Sequence, residues 1–389
     1  AYGEGAQFLA AVDLAALVGG EDEAALEAIG LANARHFIAQ RRQFGDRAET
    51  TAELSFEGER RGLASWLAEP GPMGALEFFS PDTTVVSAFV VREPGDLLDD
   101  ILQLAAADGE DVDAALDTFE QETGLSLRDD VFAPLGGEFA MGMDGPALPE
   151  PSWKLVFEVY DELRLQQTVG LLIERVNQEA AARGAEYSMT LDEITDGGRT
   201  YFLLSGDVPD DSEAAAFEGM MEVVWTYADG YFVAAPSRTL VERAVQYYES
   251  GASLVTAEEF QSLLPVDGYL DFSGVVYNRL GEMLAQFFDR VPSGEALTAE
   301  QQQAIDELRS ESGASLYCVY GERDKIRFVS HGPNELPLAG LSQMLGFGSV
   351  IEGIGAATPF ADLVRPAGVR FGHTDEADPL AADGGNTWQ

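Results

Sequence analysis

The sequence predicts an α+β fold of tandem antiparallel-sheet domains, in which split β-α-β, ferredoxin-like units are packed by helices on one face. Three observations carry this expectation. Residues 153–179 read as a buried strand running directly into a helix: Leu155, Phe157 and Val159 alternate at the strand period, then Leu165, Val169, Leu172, Ile173 and Val176 recur at helical spacing. The same strand-to-helix plan begins again near Thr83, Tyr231 and Tyr269. From Thr83 onward the order is strand, helix, strand, strand, helix, strand, the logic of a ferredoxin-like sheet. The spacing is irregular, so a duplicated plan is expected and not a solenoid of short repeats.

Taken in order, residues 7–18 present Phe8, Leu9, Val12 and Leu17 at helical spacing and predict a short helix. A second helix is expected over 23–29, after the Gly19-Gly20 break. From Asn33 a β-hairpin turns at Gly45-Asp46. Residues 64–79 predict a turn of helix, a Pro-Gly-Pro connector and a re-entry into sheet. The β-branched run 83–91 is a strand, and Pro94-Gly95-Asp96 opens a helix.

A helix over 111–122 is followed by a loop and a strand at 138–143. Strands 186–194 and 199–204 flank the turn 195–198. A hairpin turning at Asp229-Gly230 feeds a helix that Ser237 is positioned to cap. A helix over 256–264, a strand-helix unit from 268, a polar helix over 298–310 and a hairpin over 315–331 complete the pattern. The boundaries expected are 1–75 for the N-terminal helices and hairpin, 76–206 and 207–335 for two α+β domains, and 336–389 for a Gly-rich apolar segment with an acidic tail.

With 389 residues, 46% of them hydrophobic, the chain can bury a large core. Its net charge of -45, with Lys154 and Lys325 the only lysines, repels nucleic acid phosphates and anionic lipid, so nucleic acid is not an expected partner. No apolar run reaches 18 residues, so no helical membrane span is expected. Cys318 as the single cysteine excludes an internal disulfide and a cysteine-rich zinc site. The start at Ala1 predicts removal of a signal peptide and a periplasmic or extracellular location.

Catalytic chemistry is not expected. His36, His331 and His373 have no metal-pair spacing, and Ser330, His331 and Asp324 lack a nucleophile elbow. The Gly346-Phe347-Gly348 stretch does not fit a dinucleotide fingerprint. No cofactor is therefore expected, with Ca2+ as the one possibility: Asp108, Glu110, Asp111 and Asp113 form the densest acidic loop, followed by Asp207, Asp210, Asp211 and Glu213.

Two stretches read as docking surfaces. The hairpin carries Arg41, Arg42, Arg60 and Arg61 in an otherwise acidic chain, and residues 338–360 place Leu345, Phe347 and Ile351 in an apolar glycine-rich segment. A protein partner or self-association is thus expected, with a carboxylate or metal-assisted hydrolase and a calcium-stabilised scaffold as the rival readings.

The stretches FFSPDTTVVSAFVVREPGDLLDD, TGLSLRDDVFAPLGGEFAMGMDGPALPEPSWKLVFEVYDELRLQQ and DGYFVAAPSRTLVERAVQYYESGASL resemble a family of exported proteins from acidobacteria and related bacteria. The resemblance covers residues 78–288. It implies an α+β fold and an envelope or extracellular location, and it brings no established activity or active-site residues.

Overall fold

A computed structural model describes residues 6–14, 30–45, 47–107, 111–145, 151–184, 188–207, 222–266, 271–279 and 313–331. Among these residues the centre is one sheet of 13 strands, every neighbouring pair antiparallel. The chain is mixed helix and strand, as expected, and strands from the N-terminal hairpin, from 76–206 and from 207–335 all join this sheet.

The strands are β1 (Ala6–Asp13), β2 (Ala34–Phe44), β3 (Arg47–Phe56), β4 (Val85–Val90), β5 (Leu135–Met143), β6 (Trp153–Val159), β7 (Ser188–Asp196), β8 (Arg199–Asp207), β9 (Val223–Ala228), β10 (Tyr231–Ala235), β11 (Gly274–Asn278), β12 (Ser315–Glu322) and β13 (Lys325–His331). Across the sheet they run β1-β2-β3-β13-β12-β11-β4-β5-β6-β10-β9-β8-β7. The connections β3 to β4, β6 to β7 and β10 to β11 each pass over three intervening strands. A ferredoxin-like split unit passes over one, so the strand order here is wider than the expected unit.

Five helices accompany the sheet among the described residues: α1 (Pro94–Ala107), α2 (Val112–Thr123), α3 (Glu162–Ala182), α4 (Arg238–Ser250) and the short α5 (Glu258–Ser262). They do not share one face. Val241, Ala244 and Val245 of α4 pack with Val86, Ala88, Ala140, Val156 and Val233, which pair across one face of the sheet. Ile173 and Val176 of α3 pack with Met189, Leu191 and Leu204, on the opposite face. β6 buries Val156 on the α4 face and Val159 on the other, so apolar residues fall on both sides of it, interrupted by Lys154 and Glu158.

Three further local expectations differ from the structure. Residues 6–13 form the strand β1 and not a helix. An eight-residue segment is too short to hold a helix by itself, and pairing with β2 satisfies its backbone instead. Residues 74–78 form a buried 3-10 turn where re-entry into the sheet was expected; Glu138 caps it at Ala75 N (2.5 Å), and Tyr248 of α4 stacks on Phe78 at 4.5 Å. Ser237 occupies the N-cap position of α4 in extended conformation, but its side chain makes no capping bond. The helices expected over 23–29 and 298–310 lie outside the described residues.

Candidate functional site

Among the described residues the sheet is open and ends in two edge strands, β1 and β7. An edge strand presents unpaired backbone N–H and C=O groups, and proteins usually blunt it with charge, proline or bulges. β7 is blunted in that way: Asp192, Glu193 and Asp196 are exposed along it. β1, with the sequence AQFLAAVD, carries a single charge, Asp13 at its end, and no proline; its one irregularity is a register shift between Ala6 and Phe8, which leaves Leu9 to Val12 in regular pairing. Ala11, Val12 and Asp13 are exposed, Val12 by 41%.

Behind β1 stands the arginine-bearing hairpin. Its register pairs Ala6 with Arg42, Phe8 with Arg41, Ala10 with Ala39 and Asp13 with His36, with a register shift between Ala6 and Phe8. Arg41 and Arg42 therefore back one end of the edge strand, and Asp13 marks the other. From Arg35 to Arg61 the chain carries six arginines against five acidic residues, a local balance unlike that of the whole.

Arg60, expected as a docking residue, is used internally. Its guanidinium donates to the carbonyls of Glu322 (2.6 Å), Ala64 (2.6 Å) and Leu67 (2.9 Å), tying the 3-10 turn Gly62–Ser65 to the β12–β13 hairpin. Burial pushes its pKa down, as does the nearby charge of Arg92. Arg61 is exposed, and its carbonyl lies where a side chain on Gly30 would sit, 1.7 Å from an ideal Cβ. Gly30 also has φ +77°, so glycine is required there twice over.

The acidic loop divides. Asp111 caps α2, accepting from Ala114 N at 3.2 Å, and Asp113 lies in the first helical turn, where the helix dipole favours it. Asp108 and Glu110 lie outside the described residues, as do Asp210, Asp211 and Glu213, and Leu345, Phe347, Ile351 and His373. Among the described residues no three His, Cys, Asp or Glu side chains gather in a group suited to a metal ion. Among them too, no helix is long and apolar enough to cross a membrane.

His331 and Ser330, neighbours on β13, face opposite sides of the sheet, so no Ser-His pair forms. His331 is 5% exposed; its Nδ1 lies 2.9 Å from Leu263 O and its Nε2 lies 3.0 Å from a Glu49 carboxylate oxygen. Cys318 is buried in the main core, as its alternation with Leu316 and Tyr320 implies.

Two buried polar clusters escaped the sequence reading. Lys154, the second residue of β6, pairs with Asp144, which also accepts from Ser80 N (3.0 Å) and the Ser80 hydroxyl. Glu138 accepts from Ala75 N and from Tyr231 Oη at 2.7 Å. Burial raises the Glu138 pKa, and the nearby Glu158 and Glu77 add to that while its two hydrogen bonds oppose it. A lysine inside an apolar strand, in a chain with only two, was the available signal for the first cluster. Both clusters spend their hydrogen-bonding groups on holding residues 74–83 to the sheet.

No protein-family model matches the chain, and no curated protein matches it. A solved structure described as crystal form IV of TP0453 is similar over 69% of this chain and 83% of that one, at 13% identity and a TM-score of 0.27. A similarity that low carries no functional argument.

Proposed function

We propose that the protein is an exported, non-catalytic binding or assembly protein that engages its partner by strand addition at the β1 edge. The observation that carries this reading is the contrast between the two ends of one sheet: β7 is guarded by Asp192, Glu193 and Asp196, whereas Leu9 to Val12 of β1 are uncharged. Strand addition takes its affinity from main-chain hydrogen bonds and its selectivity from alternate side chains, and so needs no pocket. Export rests on the resemblance over residues 78–288, with which the acidic, lysine-poor composition is compatible.

The experiment is isolation of the untagged native particle, with its mass measured by light scattering and its other components identified. A particle larger than one chain, reduced to a single chain by Val12→Lys, is the expected result. A single chain under all conditions contradicts the reading.

A further inference from the structure

Resting on that reading, we infer that the occupant of the β1 edge is a second copy of this chain, its β1 paired antiparallel about a two-fold axis. A two-fold axis normal to a sheet places each residue beside one facing the same side, so some residue must oppose its own symmetry mate. Centring on Ala10 pairs Leu9 with Ala11, and keeps Asp13 of each copy inside the ladder. Asp13 then falls opposite residue 7 of the other copy, at the bulge, on the face to which the register assigns Arg42 and not Arg41. Two strand spacings, about 10 Å, separate that Asp13 from β2 of the facing copy, within the combined reach of an aspartate and an arginine side chain. Charge thus matches at both ends of the paired strands by symmetry.

The alternatives fit less well. Centring on Leu9 carries Asp13 beyond residue 6, the first residue of the facing strand. Pairing through β7 would set Asp192, Glu193 and Asp196 against acidic residues of another edge. The hairpin behind β1, with arginines and acidic residues in near balance, is also where two chains of charge -45 can approach with least repulsion.

The test uses the full chain with Ala10→Cys, treated with a short bismaleimide; the unsubstituted chain is the control, since Cys318 is buried. Opposed residues in an antiparallel pair lie about 4.5–5.5 Å apart at Cα, which such a reagent spans. A covalent dimer that forms in Ala10→Cys and is lost on adding Val12→Lys or Asp13→Arg is the expected result. A dimer that survives Val12→Lys overturns the β1 pairing. If the purified chain stays uncrosslinked but the introduced thiol joins a different protein in an extract of the source, the second-copy inference fails and strand addition stands. No crosslink in either setting overturns both.

Discussion

Lys154 and Asp144 form an ion pair whose side chains are 1% and 2% exposed, at the junction of β5, β6 and the buried turn at residues 74–78. Lys154 Nζ also donates to Phe78 O at 3.1 Å and lies over the rings of Tyr247 and Phe79. Burial pushes the Lys154 pKa down, and the charge of Asp144 opposes that. The pair fixes position; removing one member leaves the other charged in the core. Lys154→Met should therefore cost about 3–5 kcal/mol in urea unfolding. Adding Asp144→Asn should restore part of the loss, and an equal or larger loss in the double variant would show that the coupling is not ionic.

Glu138 gives the fold an acid-side dependence of known sign. Its carboxyl is raised above the ordinary 4.5, chiefly by burial, so the native state holds the proton to higher pH than the unfolded chain does. Its contribution is fully present below 4.5 and is lost as pH rises through the raised value. Glu138→Gln should flatten the corresponding fall in urea midpoint between pH 4.5 and neutrality. Parallel pH profiles for the two proteins would refute this.

Glu49 carries the opposite sign. Burial raises its pKa, but the hydrogen bonds from His331 and Val266 N, with the charges of His331 and Arg327, outweigh that and hold it below 4.5. Its stabilisation is present above 4.5 and lost as pH falls through the lowered value. Glu49→Gln should accordingly lower stability at neutral pH by about 1–3 kcal/mol, a deficit that closes in acid. A deficit unchanged by pH would place its origin in packing.

Arg60→Met should destabilise the chain by about 2–4 kcal/mol, because three carbonyls lose a charged donor at once. Arg61→Ala, at an exposed site, should cost less than about 0.5 kcal/mol. Thermal unfolding of the two variants side by side separates the neighbours, and equal losses would contradict the assignment.

The strand 153–159 and the hairpin 223–235 were legible from sequence, as was the buried setting of Cys318. Residues 6–13 were not, because Leu9 and Val12 satisfy a helical face as well as a strand, and only long-range pairing with β2 decides between them. The order of the strands was hidden for the same reason: β3 meets β13 across more than 260 residues, a contact no local period encodes. Of the proposed docking site, the arginines were visible and the edge was not. An edge exists only once the sheet does, and Arg60 left the candidate group because its partners lie on a distant hairpin and a neighbouring turn.

The most direct measurement of the central claim is hydrogen exchange at the β1 amides as a function of protein concentration. Occupation of this edge is expected to slow exchange over residues 9–13 as the chain associates, while β7 amides keep their rates. Exchange at β1 that stays independent of concentration while the particle mass rises would contradict the account.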